Sequence, residues 1–181
     1  MEDLTLEYIN KKLNEFNYLV LFKNTFPFFL LLFYFIFPIN LYIIGDYQGF
    51  GYQTVFFRYN FSNMGVSLIT WIRDIEYIFL GLLTPKTNFS IALWGLGVVI
   101  STIGLIMSFC TLFYQNKNIV QRTGIFLMIG GFLFLFSIIS QYSLFLSSSS
   151  GIAFPVGIPV IFLFSVLLLK IDITDKVVKR N

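Results

Sequence analysis

Residues that could do chemistry are few in this chain, and Arg73, Asp74 and Glu76 form its one compact charged group. Two carboxylates beside a guanidinium can bind a cation or do acid–base work, and a solvated charge cluster or local ion pair is the alternative. No serine, threonine or cysteine stands in a pattern that supplies a base. Glycine patterns that cradle phosphate are missing as well. The sequence therefore predicts a protein that is not an enzyme and binds no cofactor.

Histidine is absent and Cys110 is the single cysteine. This composition excludes imidazole ligands for haem or zinc, and it excludes Ser-His and Cys-His catalytic pairs. It also excludes an intrachain disulfide, so no metal or redox site is predicted.

The balance of apolar and charged residues predicts an integral membrane protein whose main partner is the lipid bilayer. Hydrophobic residues make up 57% of the chain and charged residues 12%, and the mean hydropathy is +0.81. A soluble domain of this size could not bury so much apolar surface. No nucleic-acid partner is expected.

Charge-free runs divide the chain into four expected membrane spans of about 20 residues each. They lie at 24–45, 91–113, 123–145 and 152–170, and they predict an all-α, four-transmembrane-helix bundle. Between them lie an outer cap at 46–90, a loop at 114–122, an outer turn at 146–151 and a tail at 171–181. Most lysines and arginines fall in the arm 1–23, the loop and the tail. The positive-inside rule therefore predicts a multi-pass cell-membrane protein with both termini in the cytoplasm.

The arm 1–23 has apolar residues at helical spacing, at Leu6, Ile9, Leu13, Phe16 and Val20. This pattern predicts an amphipathic helix, either on the inner leaflet or docked against the base of the bundle. The following apolar run is too long for a cleavable signal peptide.

The cap has two parts and carries both candidate glycosylation acceptors, Asn60 and Asn88, on the predicted outer side. Aromatic and β-branched residues punctuated by glycine in 46–62 favour a short hairpin or sheet. The stretch 64–84 is apolar but has charges at its middle, which favours an interfacial helix over a fifth span.

Small residues in the predicted spans indicate close helix packing. In the second span they recur every three or four positions, and the later spans have matching small residues. The full set is Gly97, Ser101, Gly104, Ser108 and Thr111, then Gly130, Ser137 and Ser140, then Ala153 and Gly157. Packing within one chain and a dimer interface both fit this pattern.

Apart from Lys170 at the very end of the fourth, the predicted spans contain no charged residue, so a transport path is not indicated. Asn40 and Gln141 are the polar exceptions. A hydrogen bond between helices is the ordinary explanation for such residues.

Four spans, a long first outer loop and a short second one resemble the claudin-like four-span membrane proteins. That family's first loop carries a Trp, then Gly-Leu-Trp and two cysteines. Here Trp71 stands in the loop, "LWGLG" at 93–97 falls in the second span, and the loop has no cysteine. The resemblance implies lateral self-assembly, and it carries over no functional residue.

Together these patterns predict a non-catalytic interaction protein of the membrane. It would be either an accessory subunit of a larger complex or a self-assembling claudin-like protein. The alternative is a small oligomeric channel or carrier with a pore lined by Ser101, Ser108, Ser137 and Ser140.

Overall fold

The computed structural model describes residues 25–45, 48–63, 65–113 and 117–170. Within these ranges the helices are α1 Thr25–Ile36, α2 Trp71–Phe79, α3 Pro85–Phe113, α4 Lys117–Tyr142 and α5 Ile158–Lys170. The strands are β1 Asn40–Ile44, β2 Gly49–Gln53, β3 Phe57–Ser62, β4 Gly65–Thr70, β5 Ser147–Ser148 and β6 Gly151–Phe154. The predicted amphipathic arm 1–23 and the tail 171–181 lie outside the described residues.

The prediction of an all-α, four-transmembrane-helix bundle is wrong. All six strands join one antiparallel sheet in the order β4-β3-β2-β1-β6-β5. Among the described helices, only α3 and α4 are long and apolar enough to cross a membrane. The helices α1 and α5 are also apolar, but their described parts are shorter than 18 residues. The fold is therefore α+β.

Two prolines explain why the first and last predicted spans are shorter than expected. Proline lacks a backbone N–H and disfavours helix in the residue before it. The helix α1 ends at Ile36, just before Pro38, and the chain continues into β1. At the other end, β6 stops before Pro155 and α5 begins only at Ile158. A charge-free run alone cannot reveal these changes from helix to strand.

The stretch 64–84 also differs from its prediction, because β4 precedes α2. Val66, Ile69 and Thr70 are β-branched, which favours a strand. The helix then begins at Trp71, where the Thr70 side chain accepts a hydrogen bond from the Arg73 backbone N–H at 3.4 Å. The 46–62 segment holds β2 and β3, which pair with each other.

The sheet is polar on the side facing the helices and apolar on the side facing away. Residues directly opposite each other on paired strands share a face. The outward set contains no charged residue, and we call it the outer sheet face. Its members on β1 to β4 and β6 are Leu41, Ile43, Phe50, Tyr52, Phe57, Tyr59, Phe61, Val66, Leu68, Thr70, Ile152 and Phe154. The inward set includes Asn40, Gln53, Arg58 and Asn60.

The short helix α1 runs antiparallel to α3, and the short helix α5 runs antiparallel to α4. The ring centroids of Phe28 and Phe109 are 5.5 Å apart, and the Tyr34 hydroxyl donates to the Ser101 carbonyl at 3.5 Å. Between α4 and α5, a Cβ atom on Gly131 would lie 3.0 Å from the Ile161 side chain, and one on Gly124 would lie 3.1 Å from the Leu168 side chain. Thr25 of α1 and Lys170 of α5 thus lie at the end of the described structure opposite the sheet.

Candidate functional site

The α3–α4 interface brings together most of the small residues singled out in the sequence. A Cβ atom on Gly97 would lie 2.7 Å from the Phe134 ring, and one on Gly130 would lie 3.1 Å from the Ser101 Cβ. A Cβ atom on Gly104 would be 3.2 Å from the Phe126 Cβ. These glycines therefore let the two helices approach closely inside one chain.

The serine hydroxyls in this interface bond within the chain. Ser101 and Ser108 are each 1% exposed and donate to the carbonyls of Val98 and Leu105 in their own helix. Ser137 donates to the Ser90 carbonyl at 2.7 Å, and the Ser90 hydroxyl donates to the Ser137 carbonyl at 2.9 Å. Ser90, Ser101, Ser108 and Ser137 are thus buried inside the described part of the chain.

Gly157 and Ala153 do not belong to a helix-packing strip. Ala153 lies in β6 opposite Tyr42 of β1. Gly157 precedes α5, and a Cβ atom there would meet the Ile39 Cα at 2.6 Å and the Pro38 carbonyl oxygen at 2.7 Å. Both residues lie where the sheet meets the ends of α1 and α5.

The charged group Arg73, Asp74 and Glu76 is split by the geometry of α2. Asp74 points inward and is buried, whereas Arg73 and Glu76 are exposed. The Arg73 Nε donates to the Tyr77 hydroxyl at 3.2 Å, and its guanidinium lies 5.9 Å from the Tyr77 ring centroid. The three residues therefore do not form one cation-binding or acid–base site.

Asp74 pairs instead with Arg58 of β3, which sequence reasoning missed. The Arg58 Nη2 donates to the Asp74 Oδ1 at 2.5 Å. Burial raises the pKa of the Asp74 carboxyl, and the Arg58 guanidinium opposes that rise only in part. The pair ties β3 to α2 beneath the sheet.

One signal could have revealed that Asp74 faces inward. On a helix, residues three and four apart share a face, which places Asp74 with Trp71, Ile75 and Ile78. A carboxylate on an apolar face needs a cation. Arg58 is among the few cations in the cap, but its register on a strand could not be read from the sequence.

The two candidate glycosylation acceptors lie within regular elements. The Asn60 amide accepts from the Tyr42 hydroxyl and donates to the Ser67 hydroxyl at 3.3 Å. Asn88 lies near the start of α3 and is half-buried. Glycosylation of either residue stays a prediction.

A cavity of about 70 Å³ lies between the inner face of the sheet and the outer ends of α3 and α4, and we call it the polar cavity. Its lining combines polar groups from both layers with two tryptophans, and includes Asn40, Arg58, Trp71, Asp74, Trp94 and Gln141. The Trp94 indole N–H donates to the Val55 carbonyl at 3.1 Å, which fixes one wall.

Three buried polar atoms of the cavity lining have no hydrogen-bond partner in the described part of the chain. They are the Asn40 Oδ1, the Gln141 Oε1 and the Arg58 Nε. The interhelical hydrogen bond expected for Asn40 and Gln141 is therefore not formed, since Asn40 lies on β1 rather than on a helix. Buried polar groups normally have a partner, which is often water.

The described residues do not supply a metal centre. Within the four described ranges, no group of three or more His, Cys, Asp or Glu side chains could hold a metal ion. The chemistry available in the polar cavity is hydrogen bonding around a neutral ion pair.

Apolar surface is exposed on both the helices and the sheet. The exposed helix positions include Phe28, Leu32, Leu96, Ile106, Ile125, Phe132 and Leu163. On the sheet, Phe50, Val66 and Leu68 are each 57–60% exposed. At the edge, β4 has a neighbour on one side only.

No family model matches the chain, and no curated protein matches it.

Proposed function

We propose that this protein is a non-catalytic membrane component that associates with a second copy of itself through the outer sheet face. The observation that carries the proposal is the reversed polarity of the sheet. A sheet that covers helices usually turns its apolar face toward them and its polar face toward water. Here the polar face covers the cavity and the apolar face is left open.

The size and chemistry of the outer sheet face support this assignment. Five strands of about five residues cover an area of about 20 by 17 Å. A contiguous apolar patch of several hundred Å² on a folded protein marks an interaction site. Because the face has no charged residue, it offers no charge pattern for a distinct partner, and it can pack on an identical face by two-fold symmetry.

Aromatic ladders preorganise the outer sheet face. Phe50 stacks on Phe61 with ring centroids 4.8 Å apart, and Tyr52 stacks on Tyr59 at 5.8 Å. Rings held by their cross-strand neighbours lose little conformational freedom on binding, which favours association.

The membrane location rests on the apolar helices. The helices α3 and α4 are long and apolar enough to cross a bilayer, and their exposed apolar residues would face lipid. We propose that this is the cell membrane, with the sheet outside. The end of α3 and the start of α4, with Arg122, would then lie on the cytoplasmic side.

The resemblance to claudin-like proteins is part of this proposal. Four strands and a short helix lie between α1 and α3, where that family has its long first loop. Lateral self-assembly is the role that the resemblance implies.

The test is the mass of the complex after gentle extraction, compared with two lysine variants. We expect a homodimer or larger homo-oligomer, and we expect Leu68→Lys to weaken association about tenfold or more, because it buries an unpaired charge in the interface. Leu144→Lys is the matched control, since Leu144 is also exposed but lies outside the sheet.

Two results would contradict self-association. A wild-type complex whose mass corresponds to one copy of the chain would contradict the proposal. Foreign subunits in fixed ratio, released by Leu68→Lys but not by Leu144→Lys, would show that the outer sheet face serves an accessory-subunit role instead.

A further inference from the structure

The polar cavity is a partly enclosed and charge-balanced chamber. Its one cation, among the described lining residues, is Arg58, and its one anion is Asp74, to which Arg58 is paired. An ionic ligand would meet an opposite and a like charge side by side. The chamber therefore suits a neutral molecule.

The unpartnered atoms specify what that molecule must offer. The Asn40 Oδ1 and the Gln141 Oε1 are acceptors and need two donors, while the Arg58 Nε–H is a donor and needs one acceptor. Asn40 is 1% exposed, so its oxygen cannot be satisfied by bulk water. A primary amide has two N–H donors and one carbonyl acceptor, which matches this set.

The size of the chamber limits the ligand to a few heavy atoms. One water needs about 10–15 Å³ measured in the same way, so 70 Å³ holds several waters or one small solute. The Arg58 side chain is 25% exposed, which marks the side where the chamber reaches the surface.

We propose that the polar cavity binds a small neutral molecule of the primary-amide class, with its amino group between Asn40 and Gln141 and its carbonyl oxygen on Arg58. Water alone is the competing occupant. This site is separate from the outer sheet face, so it does not depend on self-association.

The chain has two tryptophans, and both line the polar cavity. Intrinsic fluorescence of the purified full chain therefore reports on its occupancy. In a titration with acetamide we expect a saturable change in tryptophan emission. N,N-dimethylacetamide, which has no N–H donor, should give no saturable change.

Two asparagine variants make the test specific. Asn40→Leu should weaken acetamide binding about tenfold or more, because it removes a buried acceptor. Asn88→Leu is the matched control, since the Asn88 Oδ1 is also buried without a partner in the described chain but does not line the cavity. If Asn40→Leu does not fold, Gln141→Met provides the same comparison.

Three results would overturn the proposal. One is a response to acetamide that stays linear, as for bulk solvent. Another is a saturable response that Asn40→Leu, or Gln141→Met in its place, leaves unchanged. The third is equal binding of N,N-dimethylacetamide. The first would mean that the chamber holds only water, and the other two would mean that the solute binds elsewhere or without the proposed hydrogen bonds.

Discussion

At the scale of single residues, Asp74 is the most constrained charge in the described chain. It is 5% exposed and depends on Arg58 for its partner. Desolvation is the larger influence on its pKa, and the ion pair offsets it only in part. The pair therefore fixes geometry between β3 and α2 more than it adds stability.

A double-mutant cycle should separate these two roles. Arg58→Met alone should destabilise the protein by about 3 kcal/mol, because it leaves a buried carboxylate without a cation. The double variant Arg58→Met, Asp74→Leu should recover most of that loss. Thermal unfolding in detergent measures both. A double variant that is no more stable than Arg58→Met would contradict this, because it would show that the loss does not come from the unpaired carboxylate.

The raised pKa of Asp74 predicts a pH dependence. In the folded state this carboxyl holds its proton more tightly than its ordinary value of 3.8 implies. Its contribution to the free energy of unfolding is therefore full below pH 3.8 and is lost as the pH rises through the folded pKa. We expect the wild type to lose stability relative to Asp74→Asn across that window. Unfolding midpoints measured from pH 3 to pH 7 check this, and a difference that grows in the opposite direction would contradict it.

At the scale of elements, glycine positions decide how closely α3 and α4 pack. Gly97 faces the Phe134 ring, whereas a side chain at Gly95 on the same helix would meet nothing within 4 Å. The same residue type is thus required at one position and free at the other.

This contrast predicts opposite results for two leucine variants. Gly97→Leu should destabilise the protein by about 1–3 kcal/mol or more, because the ring must move or the helices must separate. Gly95→Leu should be neutral or slightly stabilising, since leucine has the higher helix propensity. Unfolding midpoints in detergent compare them. Equal effects would place α3 and α4 farther apart than the structure does.

Elements also show how far the sequence could predict the fold. Small residues at helical spacing indicated the contact that Gly97, Ser101 and Gly130 make, because such spacing is local information. The strands β1 and β6 were missed because apolar β-branched runs look alike in helix and sheet. The Arg58–Asp74 pair was missed because it joins two elements whose register depends on strand pairing. The cavity depends on the same register.

At the scale of the whole molecule, the orientation in the membrane can be tested with the native cysteine removed. In a Cys110→Ser background, Ser148→Cys in β5 should react with a membrane-impermeant maleimide on intact cells. Arg122→Cys should react only after the membrane is opened. The reverse pattern would place the sheet in the cytoplasm.

The position of β1 in the sheet has a consequence for biogenesis. It is made before β2, yet one of its edges pairs with β6, which is made after α4. Until then, Leu41–Ile44 present an open edge that any extended segment could join. The pairing of β1 with β6 requires glycine at position 151, because a Cβ atom there would collide with the Ile43 carbonyl oxygen. Pairing of β1 with β6 therefore waits until α3 and α4 have been made, and a nascent chain stalled before Gly151 would expose the unpaired edge of β1 to quality control.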